Sequence, residues 1–546
     1  MTRDLRRLAD TKFDLIVVGA GFYGVTVAWD AAQRGLAVAI IDKDDFGAAT
    51  SFNNLKTLHG GLRSLQSLNF RQMRLFIRER RALARILPHL VRPLPFVVPT
   101  TRHPKRSALA MRVALAINDA VARDRNDGLA DPGSHLPGGE VISREEALRL
   151  NPIIDAEGVT GGAVWYDYQM LSTDRVTLSF LLSAVDAGAT AANYVKATGF
   201  LRKGNRVVGV RAEDALTGDT FDVRGSMVVN CAGPWAAAML SDLPPAAQGG
   251  PPPRLSRAMN LITRKVVNSH ACGGMVGGRY LFVVPWGDVS MLGTSHDAYD
   301  GSPDQLKVSR WDLEAFLKDA REAFPHAGLT TSDVRLIHRG LLPMVSGDGH
   351  DVRLLKESQV ADHGRHGLPG LISVFGVRYT TARYTAEQAV DAVFRAMGHA
   401  APPPCRTAET PLQGGSMSHV HNFLKAVVLR DVEGIPTATL RRLAATYGTG
   451  YDRVLQMARD VPALAHPLGR SCDILGAEIL YAVRLEMALK LGDAVIRRTE
   501  AGAAGHPGTD ALERAAAIMA GALGWDEWQL RHEVAEVEAF YRLPRD

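Results

Sequence analysis

The sequence predicts an α/β protein that ends in a helical domain. Near the amino terminus, a short apolar run leads into a glycine-rich turn, a helix and a second apolar run, as in two parallel strands joined by a helix. Residues 400–417 are rich in proline and glycine, and beyond them apolar residues recur mainly at helical spacing. The length of 546 residues leaves room for more than one domain.

The composition is that of a globular protein that can bury large cores. Hydrophobic residues make up 46% of the chain and charged residues 22%, which excludes a disordered, collagen-like or coiled-coil chain. The net charge of +5 is small for this length, so we expect no nucleic-acid partner. The four cysteines lie far apart without a CxxC pair, and we expect no disulfide, no metal site and a reducing compartment.

The amino terminus and the apolar segments bear on where the protein resides. Residues 1–12 are charged and lack an apolar core, so we expect no secretory signal peptide. No uncharged apolar run is long enough to span a bilayer, and we expect a cytoplasmic protein. An apolar helix predicted at 108–122 is flanked by Arg102, Lys105 and Arg106. Such a helix either packs like any other or lies on a membrane, here on the inner face of the cytoplasmic membrane.

The first part of the chain has the element order that dinucleotide binding requires. Residues 14–18 predict a buried parallel strand, and a helix follows the glycine-rich turn through residue 34. Residues 36–41 predict the next strand. This order brings the start of the helix to the carboxyl end of the first strand, where unsatisfied N–H groups face an anion.

The glycines and the acid of this unit each have a chemical reason. Gly19 permits the tight turn, Gly21 lets the backbone approach a pyrophosphate, and Gly24 lets helix and strand pack closely. Asp42 follows the second strand, where a carboxylate accepts the ribose hydroxyls of an adenosine. The unit therefore predicts a bound dinucleotide, and by itself it does not distinguish NAD from FAD.

Further along, segments with strand and helix patterns alternate up to the linker. The predicted elements are a polar loop at 46–63, a helix at 69–87, a buried strand at 228–232, a loop at 241–257, hairpin strands at 282–286 and 289–294, and a strand at 371–375 before a threonine-capped helix start. The polar loop alone indicates either an ordinary turn or backbone lying against a planar ligand. Beyond the linker, helical patterns at 441–447, 477–498, 510–523 and 525–541 predict an all-helical domain.

Four motifs, in one order along the chain, carry a family resemblance. Residues 49–51, Lys56 and residues 58–63 resemble ATS, K and IHGGLRYL stretches, and residues 229–235 resemble VNAAGPW. Residues 374–381 resemble VFGGKLTT, and residues 481–488 are similar to YAVRHEMA. By these motifs the chain resembles the FAD-dependent glycerol-3-phosphate dehydrogenases and oxidases of the D-amino-acid-oxidase-like flavoprotein class.

The resemblance implies a definite domain organisation. It implies a Rossmann-type FAD-binding domain interleaved with a β-sheet substrate domain, plus an all-helical C-terminal domain. The first two would share residues 1–399, with the substrate part at roughly 88–165 and 245–345. Residues 400–417 would form the linker, and residues 418–546 a helical cap.

The resemblance also implies that the cofactor is FAD, and which residues bind it. The pyrophosphate would lie on Gly19, Gly21 and Gly24, and the ribose on Asp42, where the family more often has glutamate. The diphosphate and flavin would be lined by Thr50, Ser51, Asn54, Lys56 and His59. Ala197 would pass its backbone beside the adenine, and Gly233 would close over the dinucleotide. The pyrimidine side of the flavin would meet Gly376, Thr380 and Thr381.

The implied reaction is oxidation of a secondary alcohol to a ketone, with sn-glycerol 3-phosphate giving dihydroxyacetone phosphate. A hydride passes from carbon to flavin N5, a base takes the hydroxyl proton, and the electrons leave to a quinone or to dioxygen. Arginine suits a phosphorylated substrate because its guanidinium makes two charge-assisted bonds, so we expect Arg63 first and Arg378 second in this role. His59 either accepts the proton or only packs on the flavin.

The substrate half departs from the family pattern. Arg378 stands where the family has lysine, Leu342 where it has a phosphate-binding arginine, and Asn260 where it has a histidine. His296 stands in place of an acid. Arg339 would face the opposite side of a strand from Leu342, so we do not expect it to substitute. Two alternatives therefore stay open: the same flavin chemistry on a different polyol or hydroxy substrate, or a flavin-binding protein without turnover.

Overall fold

The computed structural model describes residues 1–346, 352–430 and 432–544. The helices are α1 (Leu5–Asp10), α2 (Phe22–Gln33), α3 (Phe70–Ile86), α4 (Ala108–Val121), α5 (Arg144–Leu150), α6 (Thr173–Asp186), α7 (Ala236–Leu240), α8 (Arg310–Ala323), α9 (Ala382–Ala396), α10 (Val420–Val428), α11 (Thr437–Tyr447), α12 (Tyr451–Asp460), α13 (Gly476–Glu486), α14 (Thr509–Leu523) and α15 (Glu527–Phe540). The strands are β1 (Lys12–Val18), β2 (Val38–Ile41), β3 (Thr57–Leu58), β4 (Val91–Thr101), β5 (Glu140–Ile142), β6 (Val159–Met170), β7 (Thr190–Ala192), β8 (Val195–Lys203), β9 (Arg206–Asp214), β10 (Thr220–Asn230), β11 (Arg254–Arg264), β12 (Ala271–Val276), β13 (Arg279–Trp286), β14 (Val289–Tyr299), β15 (Val334–Ser346), β16 (Arg353–Leu354), β17 (Gln359–Asp362), β18 (Leu371–Phe375), β19 (Pro467–Gly469) and β20 (Cys472–Leu475).

The first sheet has eight strands, and its centre runs parallel in the order β18-β10-β1-β2-β7. Helices α2, α6 and α9 pack on one face, and α1 and α7 pack on the other. Because both faces are covered, the inner strands are apolar almost throughout, as parallel strands between helix layers must be. The predicted strand–helix–strand unit is confirmed as β1, α2 and β2.

The second sheet has ten strands and alternates with the first along the chain. It runs in the order β16-β15-β11-β14-β13-β12-β4-β6-β3, and α8 packs against it. The predicted hairpin is confirmed as β13 and β14. Part of the predicted loop at 241–257 is wrong, because β11 already begins at Arg254. It does so by pairing with both β14 and β15, partners that lie far away in sequence.

Helices α3 and α4 confirm two predicted helices and explain their starts. The Asn69 side chain accepts the N–H of Gln72 at the start of α3, and Ser107 accepts the N–H of Ala110 at the start of α4. Only one α4 side chain, that of Leu115, is buried. Within the described ranges, no helix is both long enough and apolar enough to cross a membrane.

The region after the linker is mainly helical, with a small two-stranded sheet of β19 and β20 added. The predicted continuous helix over residues 477–498 is wrong. Helix α13 ends at Glu486, Met487 has a left-handed φ of 56°, and a π-helical turn covers Asp493–Arg498. The buried Asp493 carboxylate accepts the N–H groups of Leu489 and Lys490, so it competes for backbone donors that a continuous helix would use. The domain bounds at 399, 417 and 418 stay a prediction.

Buried ion pairs join this π-helical turn to the first sheet. Arg497 and Arg498 both contact Asp45, at 2.6 Å and 2.5 Å, three residues after Asp42. Arg175, at the start of α6, pairs with Glu486 at the end of α13. The C-terminal region is therefore fixed against the loop that follows β2.

Candidate active site

A cavity of about 890 Å³ opens at the carboxyl ends of the parallel strands and extends to the second sheet. This is the edge at which open α/β sheets bind their ligands. The predicted site residues that line it are Gly19, Gly21, Asp42, Thr50, Ser51, Asn54, Lys56, His59, Ala197, Gly233, Gly376, Arg378 and Thr380. Gly24, Arg63 and Thr381 are not among the residues that line it. The functional roles assigned to these residues stay predictions.

The turn between β1 and α2 has no room for side chains. Gly19 has a φ of +96°, and a Cβ on it would lie 2.5 Å from the carbonyl oxygen of Cys231. A Cβ on Gly24 would overlap the carbonyl oxygen of Gly19. Gly21 caps α2, and the N–H of Phe22 donates to the Ser51 Oγ at 2.8 Å. The start of α2 therefore presents backbone N–H groups and the positive end of its dipole to the cavity.

Asp42 stands beside this helix start. Its Oδ2 accepts the N–H of Ala20 at 2.6 Å, and its Oδ1 accepts the N–H of Asp44 at 3.0 Å. Burial raises the pKa of Asp42 to about 7, against these two hydrogen bonds, which lower it. The carboxyl group is therefore held in place, and its charge depends on what donates to it.

The loop after α2 is shaped by its own side chains. Thr50 Oγ1 donates to the Leu341 carbonyl and accepts the Leu341 N–H, which ties the loop to β15. Asn54 donates to the Ser51 carbonyl and accepts the N–H of Lys56. These polar side chains thus fix the loop against the second sheet while one side of it faces the cavity.

The Lys56 ammonium points to the start of α6. It donates to the Thr173 Oγ1 at 3.0 Å, lies 3.9 Å from Asp174 Oδ2 and 4.5 Å from the centre of the Trp286 ring. Burial lowers the pKa of Lys56 and raises that of Asp174 to about 6. Contact between Lys56 and the cofactor stays a prediction, because the ammonium has these other neighbours.

Near residue 380 the chain turns sharply before α9. Thr380 Oγ1 accepts the N–H of His59 at 3.2 Å, which joins two segments distant in sequence. A 3-10 turn covers Tyr379–Thr381, and α9 begins at Ala382. Thr381 occupies the N-cap position without a side-chain cap bond, so the predicted threonine cap is wrong. Its main chain already enters α9 from the 3-10 turn, which leaves it outside the extended geometry of a capping residue.

Tyr23 is a site residue that sequence reasoning missed. Its hydroxyl donates to the Arg378 carbonyl at 2.7 Å and accepts the N–H groups of Val377 and Arg378. A Cβ on Gly376 would overlap the Tyr23 ring. Tyr23 thereby shapes the backbone beside the cavity. Its place inside the glycine motif was the available signal, but nothing local indicated a partner more than three hundred residues away.

The end of the cavity against the second sheet is built from side chains on separate strands. Asn260 on β11, Thr294 and His296 on β14, and Leu342 on β15 all line it. Asn260 Oδ1 accepts the Thr294 hydroxyl at 2.7 Å. Burial, with Arg279 nearby, lowers the pKa of His296 to about 4, so the ring is neutral at physiological pH.

The three arginines considered for substrate binding differ in position. Arg378 lines the cavity, its guanidinium donates to the Lys356 carbonyl, and burial lowers its pKa. Arg63 is exposed on a 3-10 turn outside the cavity lining. Arg339 is exposed on β15 and lines a separate small pocket, as expected for a strand residue three positions from Leu342.

His59 follows β3 and reaches into the cavity. Its side chain is 59% exposed, and its Nδ1 lies 3.6 Å from the Asp167 Oδ2 on β6. Asp167 and its partner Arg80 are nearly buried, and neither was singled out from the sequence. Their signal is weak, because Arg80 sits among the many arginines of α3 and looks like one more surface charge.

The residues present fit a dinucleotide with a planar ring. Glycines stand where a Cβ would collide, a helix start presents N–H groups, and a buried acid adjoins it. The cavity then continues past His59 and Thr380 to polar and cationic side chains. Fold and site together define a dinucleotide-dependent oxidoreductase, with residues of the second sheet lining one end of the cavity.

The chain belongs to the family of FAD-dependent oxidoreductases, whose profile matches residues 14–392. Residues 405–530 match the C-terminal domain of alpha-glycerophosphate oxidase. FAD is therefore its cofactor. The predicted family resemblance, the fold class, the cofactor and the oxidoreductase class are confirmed by these matches.

Relatives resemble the chain over nearly its whole length. It is 29% identical over 556 residues to the glycerol-3-phosphate dehydrogenase of Synechocystis sp., covering 98% of both chains. It is 30% identical over 546 residues to glycerol-3-phosphate dehydrogenase 2 of Mycobacterium tuberculosis, covering 98% of this chain and 89% of the relative. The structure of the glycerol-3-phosphate dehydrogenase from Bacillus halodurans, complexed with FAD, gives a TM-score of 0.76 at 24% identity, covering 98% of this chain and 95% of that one. That likeness bears on the fold alone.

Proposed function

We propose that this protein oxidises sn-glycerol 3-phosphate to dihydroxyacetone phosphate. The observation that carries the proposal is a half-buried cation, Arg378, that lines the cavity beside His59 and Thr380. It has the chemistry to bind a phosphate next to the reacting end of the cofactor. The relatives that match almost the full length of the chain bear the name of this activity.

The chain's own residues supply binding, orientation and proton transfer. Arg378 would hold the phosphate, and the neutral His296 and the hydroxyl of Thr294 would bind the polyol oxygens. His59 Nε2 would take the proton of the hydroxyl that is oxidised. FAD, when bound, supplies the hydride acceptor. The start of α9 follows Thr380 by two residues, and its positive dipole end would favour negative charge in this part of the cavity.

Leu342 and Asn260 favour a second candidate, the same chemistry on a different polyol or hydroxy substrate. Neither side chain is cationic, and both line the cavity at the end where a phosphate would lie. A flavin-binding protein without turnover is the third outcome to be tested.

Anaerobic mixing of the purified yellow protein with substrate separates these candidates. Bleaching of the visible flavin band by glycerol 3-phosphate supports the proposed function. Bleaching only by another alcohol in a panel supports the second candidate. No bleaching by any alcohol supports the third.

We further propose that the electrons leave to a quinone, at the inner face of the cytoplasmic membrane. Helix α4 presents Leu109, Val113 and Ile117 to solvent, 70%, 53% and 37% exposed and one helical turn apart. Leu68 and Phe70, at the adjoining start of α3, are also exposed. An apolar face of this kind, flanked by basic residues, suits the interface of an anionic membrane.

Sedimentation with lipid vesicles tests this placement. We expect binding to vesicles that contain anionic lipid and weaker binding to neutral ones. Leu109→Asp together with Val113→Asp should abolish binding and leave flavin reduction by substrate unchanged. Leu429→Asp, at a site 77% exposed elsewhere, is the matched control. If Leu429→Asp loses vesicle binding to the same extent, docking through α4 is contradicted.

A further inference from the structure

The first observation is the strand register beside His59. β3 and β6 are antiparallel, with Thr57 opposite Gln169 and Leu58 opposite Tyr168. One step further along this ladder, His59 stands opposite Asp167. Cross-strand neighbours project to the same face of a sheet, and accordingly the His59 Nδ1 and the Asp167 Oδ2 lie 3.6 Å apart.

The second observation is that the Asp167 carboxylate is fixed. Its Oδ1 accepts the N–H of Gly60 at 2.7 Å and a guanidinium hydrogen of Arg80. The Asp167 and Arg80 side chains are only 6% and 4% exposed. A Cβ on Gly60 would lie 2.8 Å from Asp167 Oδ1 and would overlap the Arg80 guanidinium. The glycine after His59 is therefore what lets this ion pair reach the backbone.

The two oxygens of the Asp167 carboxylate therefore have different partners. Oδ1 is engaged by Gly60 and Arg80, while Oδ2 faces the His59 ring. Arg80 supplies the positive charge that a buried carboxylate needs. Two further cations stand on neighbouring elements, Arg63 on the 3-10 turn and Arg378 ahead of Thr380.

We propose that Asp167, held by Arg80 and the Gly60 N–H, is the positioning residue for His59. It directs Nδ1–H to the carboxylate and leaves Nε2 free to accept the hydroxyl proton of the alcohol. The proposal rests on the proposed function only in that His59 is the base. As the O–H bond breaks, its proton goes to Nε2, its electron pair forms the carbonyl, and the hydride leaves carbon for FAD. The resulting imidazolium is then stabilised by the Asp167 charge.

The gap of 3.6 Å is longer than a hydrogen bond and fits this role. Hydrogen bonds between a base and its orienting group are often long before substrate binds and tighten in the complex. His59 is anchored through its backbone N–H to Thr380, so a small rotation of the side chain suffices.

Nitrogen NMR of the holoenzyme tests the proposal without any substrate. The ring nitrogens of His59, assigned by difference from His59→Gln, should report the Nδ1–H tautomer. In Asp167→Asn this preference should be lost. A His59 ring that carries its hydrogen on Nε2 in the wild-type holoenzyme overturns the proposal, even if the variant does not fold.

A double-mutant comparison tests whether Asp167 acts through His59. Asp167→Asn should slow flavin reduction by about tenfold or more and shift the midpoint of its rate–pH profile to lower pH, with little change in KM. In the His59→Gln background the same substitution should have no further effect. If Asp167→Asn slows flavin reduction by the same factor in the wild-type and His59→Gln backgrounds, the proposal is overturned, because Asp167 then has only a structural role.

Glu79→Gln is the matched control for these experiments. Glu79 is the residue before Arg80, is also buried, and pairs with Arg383 in place of a histidine. It should lower stability and leave the His59 tautomer and the rate–pH profile unchanged. Failure of glycerol 3-phosphate to bleach the flavin would count against the proposed function, whereas the tautomer result bears on Asp167 alone.

Discussion

The two ends of the cavity are built in different ways. The cofactor end is made mostly from one stretch of chain, residues 19–59, which contributes glycines, backbone N–H groups and short polar side chains. The substrate end is made from side chains on separate strands, with Asn260, His296 and Leu342 each on a different one.

The charges differ in the same way. Acidic residues gather near the helix start at the cofactor end, where burial raises the pKa of Asp42 to about 7. At the substrate end, Arg378 lines the cavity, and the nearby Arg279 and Arg63 help to keep His296 neutral. Most departures from the family pattern, such as Asn260, His296 and Leu342, fall at this second end. A site built from backbone groups changes only when the fold changes. A site built from side chains can change one residue at a time without disturbing the binding of the cofactor.

Substitution of Gly24 should have the largest effect, because it breaks the cofactor end. In Gly24→Ala the new Cβ overlaps the carbonyl oxygen of Gly19, a backbone atom that cannot rotate away as a flexible side chain can. We expect complete loss of bound FAD, measured as visible flavin absorbance per polypeptide. Gly521→Ala, on α14 with open space around it, is the control and should retain full absorbance. If Gly24→Ala keeps its visible flavin absorbance, the assignment of this turn to FAD binding is contradicted.

Asp42→Asn should weaken FAD binding by about ten- to hundredfold, because the ribose hydroxyls lose an anionic acceptor. The same group predicts a pH dependence. As pH falls through about 7, Asp42 becomes protonated, so FAD affinity should fall by up to about tenfold per pH unit, measured by titration of the FAD-free chain. A raised folded-state pKa also means that the FAD-free fold loses stability as pH rises towards about 7. A flat profile of FAD affinity against pH in the wild type contradicts the titration of Asp42 near pH 7 and the two pH dependences that follow from it.

Leu342→Arg sharpens the comparison from the substrate end. It adds a cation at the substrate end of the cavity, and we expect the KM for glycerol 3-phosphate to fall by about tenfold with FAD binding unchanged. Leu342→Met, which keeps the apolar surface, should leave KM unchanged. Flavin reduction traces at graded substrate concentrations measure both. A parallel change in FAD affinity would mean that the two ends are not independent.

Arg63→Ala should have the smallest effect. Arg63 is exposed and lies outside the cavity lining, so its attraction to an anionic substrate is screened by water. We expect a two- to fivefold rise in KM, roughly the effect of an exposed ion pair, with FAD retained. Equal loss of FAD and of substrate binding contradicts a role for Arg63 towards the substrate.

The amino acid sequence by itself predicted a bound dinucleotide and the order of elements around it, and the family motifs pointed to FAD. Backbone geometry at Gly19 and Gly24, and the acid at the end of β2, follow from local rules that need no distant partner. Helices with apolar periodicity, such as α3 and α14, were predicted for the same reason.

Only the tertiary structure decided which distant groups meet. The pairing of β11 with two remote strands, the contact of Tyr23 with Arg378, and the ion pair of Arg80 with Asp167 depend on the assembled sheets. The interruption of the helix after Glu486 belongs here as well, because it follows from buried charges that reach the first sheet. Local sequence fixes backbone conformation, whereas the partner of a buried charge is chosen by packing, which no short window of sequence contains.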